Sequence, residues 1–284
     1  MRLVIIGTGN IGRAAVEAAK KASDIELVGV YHHDDDLSEV DADVALLCLP
    51  TREIPTFAQK MLKMGISTVD SFDIHGQIYD LREDLMWVAK QHKAVSILSA
   101  GWDPGSDSMV RALFSALVPN GDTYTNFGPG RSMGHTVAAK AIPGVKDALS
   151  MTLPAGKGKH DRHVYIELED GYTFQEVKAA ILRDDYFAHD KTEIEQVESV
   201  AAINTTAHGV HIERNGLSGV TPNQQLDFTM RIDNPALTAQ FMVCCARAAY
   251  RMMGREQYGA FTTIELAPID LLEGNDEELI RAFV

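Results

Sequence analysis

The chain has 284 residues, 45% of them hydrophobic and 23% charged, an ordinary globular composition with room for about two domains. Its formal net charge of −14 speaks against nucleic acid or an anionic membrane as partner, since both attract basic surfaces. Acidic small molecules stay open, because a local arginine or a helix N-terminus can still bind them.

The first strand begins at residue 2, with no basic leader and no long apolar stretch. Neither a secretory signal nor a membrane span is expected, and the chain reads as cytoplasmic. From residue 2 to about 118, the short β-rich runs LVIIG, IELVGVY, VALLCLP, STVDSF and VSILSAG alternate with GRAAVEAAKKA, IPTFAQKMLKM and DLREDLMWVAKQHK, apolar at helical spacing. That alternation predicts an α/β, Rossmann-type doubly wound parallel sheet in a dinucleotide-binding domain, residues 1–118. Between Tyr31 and Asp43 there is little room for a crossover helix, so a trimmed connection is expected. After Pro119 the text changes. TYTNFGPG, RHVYIELE, HGVHIERNG and QQLDFTMRI read as longer antiparallel strands, with EVKAAILRDDYF and NPALTAQFMVCCARAAYRMM as helices against them. A second α+β domain is therefore expected over 119–254, with 255–284 returning to the first. The helix at 235–253 would bury Leu237, Phe241, Cys244 and Ala248. Cys48, Cys244 and Cys245 form no disulfide framework and read as reduced core thiols. Asn204-Thr205-Thr206 is a glycosylation sequon with no role in a cytosolic chain.

Gly7-Thr8-Gly9-Asn10-Ile11-Gly12 follows the first strand and opens a helix. The first glycine permits a tight turn, the second lets backbone approach a pyrophosphate, and the third allows close helix–strand packing. Ligands of such sheets collect at the carboxyl ends of the strands. Two acids fall there, Asp73 in VDSFDIHG and Asp103 in SAGWDPGSDS. Each could simply cap the next helix, and Asp70 is given a structural role of that kind. For Asp103, Trp102 before it and Pro104-Gly105 after it shape a rigid strand exit. Two neighbouring carboxylates could hold a substrate ammonium, and one could take its proton.

AGWDPGSDS, TNFGPGRSMGH, AIPGVKDALSMTLP and AHGVHIERNG, in this order, resemble the meso-diaminopimelate dehydrogenases. The resemblance runs from the phosphate loop to IELAPIDLL. It implies NADP(H)-dependent, reversible oxidative deamination of the D-centre of meso-2,6-diaminopimelate to L-2-amino-6-oxopimelate and ammonia, in lysine and diaminopimelate metabolism. It also implies a homodimer. On this resemblance Asp73 and Asp103 hold the reacting amine, Trp102 and Phe127 wall the pocket, and Met133 and Gly134 lie alongside. Arg162, Thr152, His208 and Asn234 take the distal carboxylate end. The cofactor set is the loop Gly7 to Gly12, then His32 and His33, then Leu49, Pro50, Thr51 and Arg52.

One stretch departs from the family pattern. His32, His33 and Asp34 stand where NADP users often carry an arginine pair. Neutral histidines bring little charge, and an aspartate would repel a 2′-phosphate, so a weakened NADP preference with NAD accepted is expected. Rival readings are an oxidoreductase acting on another D-amino acid or a sugar, and a non-catalytic dinucleotide sensor. The sugar enzymes usually carry a Glu-Lys-Pro that CLPTREIP and SAGWDPG lack. His160-x-x-His163 and His208-x-x-His211 have no accompanying Glu base, and no metal is expected.

Overall fold

Apolar runs four to six residues long, each closed by a turn, become the strands of one parallel sheet. A computed structural model describes residues 1–188, 190–203 and 208–284, with Met133 and Gly134 described in backbone only. The sequon at Asn204 lies outside the described residues. The chain alternates β1 (Arg2–Ile6), α1 (Asn10–Lys21), β2 (Glu26–Tyr31), β3 (Val44–Leu47), α2 (Ile54–Lys63), β4 (Ser67–Asp70), α3 (Ile78–Gln91), β5 (Val95–Leu98) and α4 (Ser106–Leu117). Next come β6 (Asn120–Phe127), β7 (Gly130–Arg131), α5 (Met133–Lys140), β8 (Val145–Gly156), β9 (Lys159–Leu168), α6 (Phe174–Ile181), β10 (Lys191–Gln196), β11 (His208–Ser218) and β12 (Thr221–Ile232). The chain closes with α7 (Asn234–Gly254), β13 (Gly259–Thr262), α8 (Pro268–Leu271) and α9 (Asp276–Phe283).

The first compact unit comprises Met1–Ala112 and Asn234–Val284. Its six strands run in the order β13-β5-β4-β3-β1-β2, every pair parallel. β3, β4 and β5 are buried at every position, which is why β3, VALL, reads as a continuous apolar run; β4, STVD, and β5, VSIL, bury hydroxyls that pair with each other, Thr68 Oγ1 donating to Ser96 Oγ at 2.9 Å. Successive β1 residues feed opposite faces. Leu3 and Ile5 join α1 and α7 in one layer, while Val4 and Ile6 join α2 and α3 in the other. The link from β2 to β3 holds no helix; Leu37 and Val40 plug the sheet from this trimmed connection.

α7 differs from the sequence expectation. It belongs to the first unit and not with the strands that precede it. Its buried residues include Ala239, Met242, Val243, Ala246 and Ala249, packed on β1, β3, β4 and β5. Of the expected stripe only Ala248 is fully buried, whereas Leu237, Phe241 and Cys244 are half-covered. Arg247, at 6% exposure, clamps Asp24 beyond α1 through Nε–Oδ2 at 2.5 Å and Nη2–Oδ1 at 2.9 Å. An arginine in a run of alanines and cysteines gives no sign from periodicity of which layer it serves.

The second unit, Leu113–Asp233, holds a four-stranded sheet, β10-β9-β8-β7, and a three-stranded sheet, β12-β11-β6. All pairs are antiparallel except β9 with β10, because α6 returns the chain by a crossover. Val177 and Ile181 of α6 bury against Val164 and Ile166 of β9. Among the described residues no helix is long and apolar enough to cross a membrane. Cys48 and Cys245 are held as thiols: burial pushes the Cys48 pKa up to about 12 and that of Cys245 well above its ordinary value.

The Arg247–Asp24 clamp joins α7 to the sheet layer it covers, and its loss leaves Asp24 without its guanidinium. Arg247→Met should lower stability by about 1.5–3 kcal/mol, read as a fall in Tm. An unchanged Tm would show that α7 is held by apolar packing alone.

Candidate active site

The glycine loop sits where β1 ends. Gly7 N donates to Tyr31 O at 2.8 Å, and Cys48 N donates to Ile6 O at 2.8 Å, so the β1 exit is stitched to both neighbours. Gly7 has φ +111°, and a Cβ there would lie 2.1 Å from Cys48 O. A Cβ on Gly12 would lie 1.9 Å from Gly7 O. Gly9, the N-cap of α1, meets nothing within 4 Å. Two glycines thus close the turn, and the third leaves open space before the helix N-terminus. α1 has no acid in its first turn and no side-chain cap. Its N–H groups and positive dipole end suit a diphosphate. Leu49, Pro50, Thr51 and Arg52 form the next strand exit, with Glu53 N donating to Pro50 O at 2.9 Å. Arg52 is exposed.

His32 and His33 follow β2, their ring centroids 4.1 Å apart. Asp34 serves both, with carboxylate oxygens 3.5 Å from His32 Nδ1 and 3.2 Å from His33 Nε2. Asp35 accepts the backbone N–H of His32 at 2.6 Å, and Asp36 that of Ser38 at 2.9 Å. The three aspartates are therefore local turn and ring partners.

At the exits of β4 and β5, Asp70 is fully buried. Its Oδ1 accepts from Phe72 N at 2.9 Å and Ser99 N at 3.1 Å, tying the two exits together. Burial pushes its pKa up to about 6 against the pull of those two N–H groups. It stitches strands and caps no helix. Asp73 is exposed, and its N–H donates to Thr51 Oγ1 at 3.1 Å. Beyond β5 the GWDPG segment folds on itself. Gly101 N donates to Pro104 O and Ser106 N to Gly101 O, both at 3.1 Å, and a Cβ on Gly105 would lie 1.8 Å from Gly101 O. That closure buries Trp102 and holds Asp103, whose side chain is only 15% exposed. Asp103 Oδ1 accepts from Arg111 Nη2 at 2.8 Å. Asn234, at the head of α7, accepts from Thr238 Oγ1 at 2.9 Å. The first unit thus brings together Trp102 and Asp103 on one short loop, with Asp73 on the neighbouring exit.

Arg111 and the fully buried Asp107 are site-adjacent residues that motif reading passed over. Positions 103, 107 and 111 are spaced four apart, which puts the latter two on one helix face, and that spacing was the available signal.

In the second unit, Arg162 is not the solvated arginine that KHDRHVYIE suggests. It is 9% exposed on β9, directly opposite Thr152 of β8. Its Nη1 donates to Thr152 Oγ1 in a short contact, and its Nε to Asp190 Oδ2 at 2.7 Å. His135 of α5 accepts or donates at Ser132 Oγ, 2.8 Å away. Burial, and then the Arg162 charge, hold its imidazole below the usual range. Phe127 ends β6, edge-on to His160 with centroids 5.7 Å apart. The next residue, Gly128, donates to Gly209 O at 2.7 Å, and a Cβ on it would lie 2.4 Å from Thr152 O. That glycine gathers Phe127, Thr152 and the His208–Gly209 start of β11 into one neighbourhood. Met133 and Gly134 open α5; their side-chain positions lie outside the described residues. His163 bonds Glu195 at 3.1 Å and His211 bonds Asp227 at 3.0 Å, so each histidine pair seen in the sequence is split between separate partners.

A family model described as the diaminopimelic acid dehydrogenase C-terminal domain matches residues 101–158. A meso-diaminopimelate D-dehydrogenase of Bacteroides fragilis is 54% identical over 300 residues, covering 100% of this chain and 99% of its own. One of Lysinibacillus sphaericus is 32% identical, covering 99% and 98%. Among solved structures, the C. glutamicum DAP dehydrogenase in complex with DAP superposes with a TM-score of 0.86 at 30% identity, covering 100% of this chain and 99% of that one. An engineered D-amino acid dehydrogenase bound to NADP+ gives 0.80 at 28% identity, with the same coverage. High identity across the full length, joined to the loop and strand-exit chemistry above, makes this chain an oxidoreductase that belongs to the meso-diaminopimelate dehydrogenase family.

Proposed function

We propose that the chain oxidatively deaminates the D-centre of meso-2,6-diaminopimelate, giving L-2-amino-6-oxopimelate and ammonia with reduction of a nicotinamide dinucleotide, in lysine and diaminopimelate metabolism. The observation that carries this is Asp103. It is a largely buried carboxylate within the matched segment 101–158, on the carboxyl edge of the same sheet as the glycine loop.

The residues fit the dinucleotide. The open space at Gly9 and the uncapped N-terminus of α1 receive the diphosphate. The nicotinamide, when bound, supplies the two-electron acceptor. Asp103 holds the D-ammonium and takes its proton, directly or through water, leaving a neutral amine ready for oxidation. Asp73 shares the cation, and Trp102 and Phe127 wall the reacting carbon; once that carbon has lost hydride, water adds to the resulting imine and ammonia leaves. Arg162, with its Nε fixed on Asp190 and its Nη1 on Thr152, presents a pre-oriented fork to the distal carboxylate. The family resemblance assigns Met133, Gly134, His208 and Asn234 to the same substrate. We also propose a homodimer; sedimentation at the 31.1 kDa mass of one chain would contradict it.

For the cofactor we propose that NAD is accepted beside NADP. The support is Asp34, placed against both histidines where a 2′-phosphate would need positive charge. NADP should then hold a kcat/KM advantage of about tenfold or less, the scale of one modest charge contact. A large NADP advantage that disappears on changing Arg52, but not His32 or His33, would overturn this.

The reaction is tested by the rise of reduced-nicotinamide absorbance with meso-diaminopimelate at alkaline pH. Arg162→Ala should raise KM by about 30-fold or more, as expected for a lost charge-assisted pair, with a smaller effect on kcat. No absorbance change with either dinucleotide favours a sensor, and an unchanged KM removes Arg162 from the site.

A further inference from the structure

Two acids of the first unit, Asp70 and Asp107, are 0% exposed. Asp70 is committed to the backbone of Phe72 and Ser99. Asp107, in the first turn of α4, faces side chains instead. Its Oδ2 lies 2.9 Å from Arg111 Nη1, and its Oδ1 3.4 Å from Nη2. The same Nη2 lies 2.8 Å from Asp103 Oδ1 and 3.0 Å from Ser108 Oγ. One guanidinium is therefore shared by two acids, with an oxygen of each within 3.4 Å of the same Nη2.

Charge decides what such a cluster can do. With both acids ionised it carries one net negative charge; with one proton it is neutral. Two carboxylates gathered on one guanidinium nitrogen resist ionising together, and burial favours the neutral form. Asp107 is held well above the usual carboxylate range, by burial first and then by Asp103, with Arg111 opposing. Those are the charged groups that act on it. Thr263, on the turn behind the loop, contributes only a hydroxyl, bonded to Gly105 O at 3.1 Å. Glu265 of that turn is engaged by Arg82 at 2.6 Å.

We propose that Asp107 is a positioning residue that shares one proton with Asp103 beside Arg111, and that a substrate ammonium docking at Asp103 displaces this proton to solvent. The proposal rests on Asp103 being the partner of the amine. Before docking, the cluster is neutral with its own proton. After docking, it is neutral with the ammonium in place of the proton. When the ammonium gives up its proton, the pair takes that proton back, and no net charge accumulates beside the buried Asp107. Asp103 is the exit for the displaced proton, since its side chain is 15% exposed and Asp107 is sealed.

The test is Asp107→Asn, which keeps the shape and removes the ionisation. In the wild type, the acid limb of the kcat/KM–pH profile with meso-diaminopimelate should report loss of the shared proton. In the variant that limb should move to lower pH by about one unit or more, and the plateau should fall by about tenfold, because the cluster can no longer reach a net negative charge. Since the substitution could impair folding, Tm is followed against pH for both proteins. An acid whose folded pKa is raised stabilises below its unfolded value and loses that contribution as pH rises through the folded value. The Tm of the variant should therefore gain on that of the wild type as pH rises. Parallel Tm–pH curves would overturn the shared proton whatever the kinetics, and an unmoved acid limb would overturn its coupling to substrate. Should neither protein oxidise diaminopimelate with either dinucleotide, the function fails separately, and the Tm comparison alone decides the proton.

Discussion

Gly7 leaves β1 at φ +111°, in contact so close with the β3 exit that a side chain there would overlap the Cys48 carbonyl. Gly12 repeats the constraint one turn on, against the Gly7 carbonyl itself. Those two contacts fix how steeply the chain turns from strand to helix, and so where the N-terminus of α1 points. It points along the carboxyl edge of a sheet whose other exits carry Leu49 to Arg52, Asp73 and Asp103. A bulkier residue at either glycine would push α1 away from β1, and α7, packed on both, would have to follow. The geometry of the first unit's site depends on this backbone approach more than on any single polar contact.

Charge is handled differently at each acid that the first unit draws out of solvent. Asp70 satisfies one oxygen with backbone N–H groups and serves as a stitch. Asp24, half-buried just before β2 at the opposite edge, is paired by Arg247 through two contacts. Asp103 and Asp107 instead divide one guanidinium, an arrangement poor for stability and suited to gaining or losing a proton. The second unit solves the opposite problem. A buried Arg162 is held by Asp190 and Thr152, so its orientation is set within the fold.

Much of this was legible in the sequence. The strands of the first sheet show as short β-rich runs, the glycine spacing marks the helix start, and the missing crossover after Tyr31 shows as a short gap. What escaped did so for physical reasons. β8 carries Pro154 and Gly156 at its end, which read as a loop, and β10, KTEIEQ, buries only Ile194. α7 is rich in Ala, Cys and Met, residues that suit either layer, so periodicity could not tell which unit it joins. Arg162 enters the candidate site by resemblance alone, because its partners lie across a hairpin and on the distant Asp190, where spacing gives no sign of burial. Asp107 sat in plain view at a four-residue spacing from Asp103 and Arg111, but only burial distinguishes a shared-proton pair from a solvated helix start.

The central claim is that the amine held at Asp103 is that of the D-centre. It is tested most directly with meso-diaminopimelate deuterated at one α-carbon at a time, followed by mass analysis of the reduced dinucleotide. The account predicts that deuterium from the D-carbon appears in the reduced nicotinamide, and that deuterium from the L-carbon stays in the amino acid. Label arriving from the L-carbon, or from both, would contradict it.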